Sequence, residues 1–143
     1  MRKRDNFRAA FDGFEPEIIA HYTEKDIQQC LNDAGIIRHR GKIEATIGNA
    51  QAFLNLRNAG QEFNDFCWRF VDGKPVINTF QTTQEIPTQN DVSRNLSKAL
   101  KQAGFKFCGP VIVYAFMQAV GMVNDHLVEC PQYEKCKNLA ENL

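Results

Sequence analysis

Gly104, Gly109 and Pro110 stand between a lysine-bearing segment and the most apolar segment of the chain, GPVIVYAFMQAVGM. Glycine tolerates positive φ and lets another backbone or a ligand come close. A proline at the first position of a helix leaves the first-turn N–H groups without intrahelical partners, at the partly positive helix end. That is a backbone anion site, and phosphate is its natural occupant. From Val92 to Asn124 the charged residues are Arg94, Lys98, Lys101 and Lys106, with no carboxylate among them. A cationic hairpin on an otherwise neutral chain suits a sequence-independent grip on a DNA backbone. Short glycine hairpins also join antiparallel helices with no phosphate nearby, and a lysine-rich helix face is usually just solvated. The local pattern alone slightly favours that plainer reading.

Other residues have chemistry to offer. His126 and Cys130, in DHLVEC, are four apart and share a face if a helix continues through them. Such pairs are more often packing and surface residues than ligands. Arg38, His39, Arg40 and Lys42 form a basic knot where a long helix starts. Cations there oppose the helix dipole, which hints at a nearby anion; a solvated helix start explains them equally well. Trp68 with Phe63, Phe66 and Phe70 reads as core packing before a base-stacking platform. Tyr114 and Gln118 share a face of the apolar helix and either reach a pocket or form a buried tyrosine with its partner. His21 reads as structural, and Glu15, Glu17 and Glu24 as solvated carboxylates. The chain has no nucleotide-binding glycine loop, zinc-protease motif or serine nucleophile elbow.

The elements that must position these residues are helical almost throughout. A short helix is expected over Asn6–Phe11, and Pro16 starts the turn EPEIIAHY. Thr23 is an N-cap for EKDIQQCLNDA, which Gly35 closes. Ile43, Ile47, Ala50 and Leu54 mark one face of a helix ending near Gly60. QEFNDFCWRFV is helical, and Asp72-Gly73-Lys74-Pro75 ends it. Residues 76–90 read as an extended connector. Asp91 or Ser93 caps a helix whose buried stripe is Leu96, Ala99, Leu100 and Ala103; Gly104 ends it, Pro110 starts the apolar helix and Gly121 ends that one. No strand pair is expected. The fold class is all-α, a compact bundle of short helices over residues 1–143 as a single domain.

With 143 residues, 43% hydrophobic and 24% charged, the chain can bury one sizeable core. Lys plus Arg equals Asp plus Glu at 17 each, so only local patches speak for a nucleic-acid partner. Five cysteines with no regular spacing suggest free thiols or metal ligands in a reducing, cytoplasmic compartment. MRKRDNF leads into no signal peptide, and the longest apolar run is too short to span a bilayer, so no membrane association is expected.

Three long strings carry a resemblance. LSKALKQAGFKFCGPVIVYAFMQAVGMVNDH is similar to the helix-hairpin-helix region of the DNA-3-methyladenine glycosylase I family. DAGIIRHRGKIEATIGNAQAF and KRDNFRAAFDGF resemble upstream signatures of the same family, and the likeness covers almost all of residues 2 to 130. It implies a base-excision repair enzyme that hydrolyses the N-glycosidic bond of 3-methyladenine in double-stranded alkylated DNA, acting as a monomer without a protein partner. The positive charge of an alkylated adenine already weakens its bond to deoxyribose; the enzyme unstacks the base and holds it against aromatic faces. The motif would span about 91–121, with Gly104, Phe105, Lys106, Phe107 and Gly109 as the hairpin and Lys101 beside it.

The resemblance also implies what these residues lack. Family members carry an N-terminal portion before the motif that here opens at Arg2. It supplies a pocket carboxylate, pocket tryptophan and tyrosine residues and a wedge for the DNA gap. No catalytic residue can therefore be carried over, and the chain is expected to be a truncated frame or fragment with impaired activity. The alternative is a non-catalytic helix-hairpin-helix DNA-binding fragment. The family's structural zinc ties its termini together; its C-terminal ligands match His126 and Cys130, and the other Cys and His belong to the portion not present. Cys136 could in principle add a third donor.

Overall fold

The computed structural model describes residues 2–33, 35, 36 and 39–141. Among these, eight α-helices account for most of the chain: α1 (Arg2–Ala10), α2 (Pro16–Ile19), α3 (Glu24–Leu31), α4 (Arg40–Asn58), α5 (Phe63–Trp68), α6 (Asp91–Gln102), α7 (Pro110–Ala119) and α8 (Pro131–Glu141). The all-α class is therefore correct. The chain divides into two compact units, Met1–Gln61 with Lys101–Phe107, and Glu62–Leu100 with Cys108–Leu143.

In the first unit, local signals set the helix ends. Thr23 opens α3, its backbone N–H donating to Asp26 Oδ2 at 2.8 Å. Gly35 does not supply a left-handed stop; α3 already ends at Leu31, and the Gly35 N–H donates to Asp33 Oδ1 at 2.8 Å. A Cβ at Gly35 would lie 3.1 Å from the Asn6 side chain, so close approach, not positive φ, calls for glycine there. At the start of α4 the His39 imidazole is itself the cap, its Nδ1 accepting from the Lys42 N–H at 3.1 Å. Ile43, Ile47 and Ala50 of α4 pack with Phe11, Ile19, Ile27, Cys30 and Ile36 into one cluster. Burial of each large aliphatic side chain in it contributes about 1.5–3 kcal/mol relative to exposure. Leu54, expected on the same face, is only half-buried.

The second unit departs from expectation in two places. Val76–Ile77 (β1) and Val123–Asn124 (β2) form a short parallel pair, with Val76 N–H donating to Met122 O at 2.8 Å. Two residues per strand are too few to show a period in the sequence. The cap of α6 is Asn90, neither Asp91 nor Ser93 alone: Asn90 Oδ1 accepts from the Ser93 N–H at 2.8 Å, and Ser93 Oγ accepts from the Asn90 N–H at 2.9 Å. The core is built from Leu96, Leu100, Val113, Tyr114, Met117, Met122 and Val123, with Phe66 and Cys67 from α5. No helix among the described residues is long and apolar enough to cross a membrane.

Candidate nucleic-acid interface

The segment between α6 and α7 has the local geometry that its glycines suggest. Gly104 follows the end of α6 with φ +99°, a conformation that a side chain resists. Gly109 is the N-cap residue of α7, in extended conformation, and Pro110 is the first helical residue. The first helical bond of α7 is Val113 N–H to Gly109 O, 2.9 Å. The N–H groups of Val111 and Ile112 thus stand before the ladder begins, at the positive end of the helix. A Cβ at Gly109 would meet nothing within 4 Å, so the approach to this backbone is open. Between the two glycines, Lys106 and Phe107 are exposed, and Phe107 holds φ +54° without being glycine.

The loop does not float. Asn49 of α4 takes both main-chain groups of Lys106: its Oδ1 accepts from the Lys106 N–H at 2.8 Å, and its Nδ2 donates to the Lys106 carbonyl at 3.1 Å. Within the second unit, Ser97 Oγ donates to the Cys108 carbonyl at 2.5 Å. Lys101 and Lys106 are exposed, and among the described residues neither is paired with a carboxylate. Arg94 is paired, with Asp91.

The basic knot at α4 proves different. Arg40 reaches Glu24 with both terminal nitrogens, at 2.8 and 2.7 Å, and Glu44 with Nε at 2.8 Å. The anions beside Arg40 are the protein's own. The Arg40 guanidinium, with help from the Gln28 amide, holds the Glu24 carboxyl down to about 2. Arg38 lies outside the described residues. Glu17 is likewise an ion-pair partner, 2.6 Å from Arg57, and Glu15 and His21 are exposed.

A profile of the family described as methyladenine glycosylase matches residues 1–133. The "DNA-3-methyladenine glycosylase 1" of Escherichia coli is 51% identical over 133 residues, 93% of this chain and 71% of that protein. The "DNA-3-methyladenine glycosylase" of Haemophilus influenzae is 47% identical over 131 residues, again 71% of its length. A crystal structure of 3-methyladenine DNA glycosylase I superposes with a TM-score of 0.89 at 50% identity, covering 91% of this chain and 71% of the other.

The chain belongs to the methyladenine glycosylase family.

Within this family member, the metal donors expected from the resemblance sit in a different setting from the one the spacing suggests. Residues 125–130 form a turn between β2 and α8, not a helix, so His126 and Cys130 do not share a helical face. The Cys130 N–H donates to Leu127 O at 2.8 Å and its carbonyl accepts from Tyr133 at 2.9 Å, which fixes the backbone of the turn. Imidazole and thiol are good zinc donors, but a structural site needs four, and no cluster of three or more His, Cys, Asp or Glu able to hold a metal occurs among the described residues. These residues do not close a zinc site by themselves. Cys136 lines, with His126, Trp68, Ile77 and Leu139, a largely apolar cavity of 310 Å³.

Sequence reasoning missed the centre of the second unit. Asp125, 7% exposed, accepts from Asn78 Nδ2 at 2.6 Å, from Gln118 Nε2 at 3.1 Å and from the Tyr114 hydroxyl. Burial and the neighbouring carboxylate push the Tyr114 phenol well above its ordinary range, so it stays a neutral donor. Tyr114 and Gln118 are therefore the partners of one carboxylate; the only hint in sequence was their shared face. Of the aromatic run expected in the core, Phe66 is buried while Phe63, Trp68 and Phe70 are half-buried, and the Arg69 guanidinium lies 4.6 Å from the Phe66 ring centre.

Proposed function

We propose that this chain works in base-excision repair, hydrolysing the N-glycosidic bond of 3-methyladenine in double-stranded DNA, as a monomer in the cytoplasm. The observation that carries this reading is about 50% identity, over nine-tenths of the chain, to proteins named for that activity. The geometry of the α6–α7 segment supports a helix-hairpin-helix role for it. Gly104, Phe105, Lys106 and Phe107 would present backbone to phosphate, Gly109 would do so at the start of α7, and Lys101 and Lys106 add charge that no carboxylate among the described residues pairs with. The alkylated base is a cationic leaving group, so the protein's main tasks are to hold the duplex, extrude the base and exclude undamaged purines. By the resemblance, the pocket carboxylate is not among these 143 residues, and no residue here is assigned a catalytic role. His126 and Cys130 would contribute two of four donors to a structural zinc.

Release of 3-methyladenine from methylated duplex DNA tests the reading, with the Escherichia coli relative as reference. The expected result is slow but measurable release by this chain, accelerated when the relative's pocket segment is fused to it. No release from either form, with both folded, contradicts it. If the fused form binds the duplex but releases nothing, the chain is a DNA-binding module only.

A further inference from the structure

We propose that Asn49 is the positioning residue of the DNA contact: its carboxamide clamps the main chain of Lys106 and so holds the loop in the shape that meets phosphate. The inference rests on the reading of that loop as the DNA grip.

Both polar ends of the carboxamide are used on a single residue, one accepting and one donating, at 2.8 and 3.1 Å across a separation of 57 residues. The two bonds also fix the amide's orientation, because flipping it would place donor against donor and acceptor against acceptor. Lys106 is exposed, so water could satisfy its main chain without help. What Asn49 adds is conformation. The next residue, Phe107, sits at φ +54° and is 54% exposed. A non-glycine residue stays in that region only where its surroundings hold it. The clamp lies immediately before it. Gly104 also lies near α4, three residues on from Asn49: a Cβ added there would come within 3.6 Å of the Ala52 Cβ, and Ala52 is buried. One helix thus holds the loop at Lys106 by two hydrogen bonds to its main chain, which leave the lysine side chain unengaged by the clamp.

The test is fluorescence anisotropy of a labelled duplex oligonucleotide over a salt series, well below the melting temperature of every variant, with amide exchange at Lys106 followed in parallel. Asn49→Ala is expected to weaken binding by about tenfold at every salt concentration, the equivalent of one to two net hydrogen bonds, with the salt slope of the parent. Lys106→Ala lowers the slope itself by about one, because it removes a phosphate contact. The Lys106 amide exchanges faster in Asn49→Ala. Should that variant fail to fold, Asn49→Leu keeps the volume and removes both bonds, with the same expected readouts. Folded Asn49 variants with parental affinity and parental Lys106 exchange overturn the clamp while the lysine variants still act. If neutralising Lys101 and Lys106 changes neither affinity nor slope, the loop is not the DNA grip and the clamp falls with it.

Discussion

Arg40 at the start of α4, Lys101 in the last turn of α6 and Lys106 in the loop after it belong to the same compact unit, and in the sequence each could be read as anion-seeking or as merely solvated. The structure separates them. Arg40 is held by Glu24 and Glu44, whereas Lys101 and Lys106 have no carboxylate partner among the described residues. A cation already paired offers an external phosphate little, since binding would first have to break the internal pair. A cation left unpaired keeps its full attraction. On the proposed reading, what distinguishes a DNA contact from a structural ion pair is which basic residues lack a carboxylate partner, not their density.

That contrast can be broken at its strongest point first. Replacing Lys101 and Lys106 together by Ala should weaken duplex binding roughly ten- to hundredfold at low salt and lower the salt slope by about two, as measured by anisotropy over a salt series. The next effect is on the backbone. Gly104→Ala meets only ordinary contact at 3.6 Å, so its cost is conformational, about 1–2 kcal/mol at φ +99°, read by chemical denaturation. A smaller effect concerns the paired cluster. The Glu24 carboxyl is lowered in the folded chain from 4.5 to about 2. Its contribution to stability is therefore present above its ordinary range and is lost as pH falls from about 4.5 toward about 2. Glu24→Gln should flatten that part of the melting-temperature profile and leave neutral-pH DNA affinity alone. The smallest expected effect is no effect: Arg40→Ala should keep the salt slope of the parent, and a slope reduced by one would place Arg40 on the DNA and erase the contrast.

The sequence made the helices legible, because apolar period and terminal residues are local properties. Pro110 and Gly121 bound α7 as expected, and the Met122 N–H closes its end on Met117 O at 2.9 Å. The loop's glycines were legible for the same reason. Partnerships across long separations were not. Nothing near Asn49 announces Lys106, and nothing near Arg40 announces Glu24, 16 residues earlier. Nothing in the sequence singles out Asp125, and only the folded second unit surrounds it with Asn78, Tyr114 and Gln118. The turn at 125–130 differs for another reason: a spacing of four suits a helix, but Gly121 had already ended α7 and the next helix starts only at Pro131. His39 as a cap was hidden among basic neighbours, since an imidazole accepts a hydrogen bond only through its bare nitrogen.

The most direct measurement is an amide chemical-shift titration of the isotope-labelled chain with duplex DNA. The expected result is that the largest changes fall on Gly104 to Phe107, Gly109, Val111 and Ile112, with the amides of residues 40–44 almost still. Changes concentrated at the start of α4, with the loop between α6 and α7 silent, would contradict it.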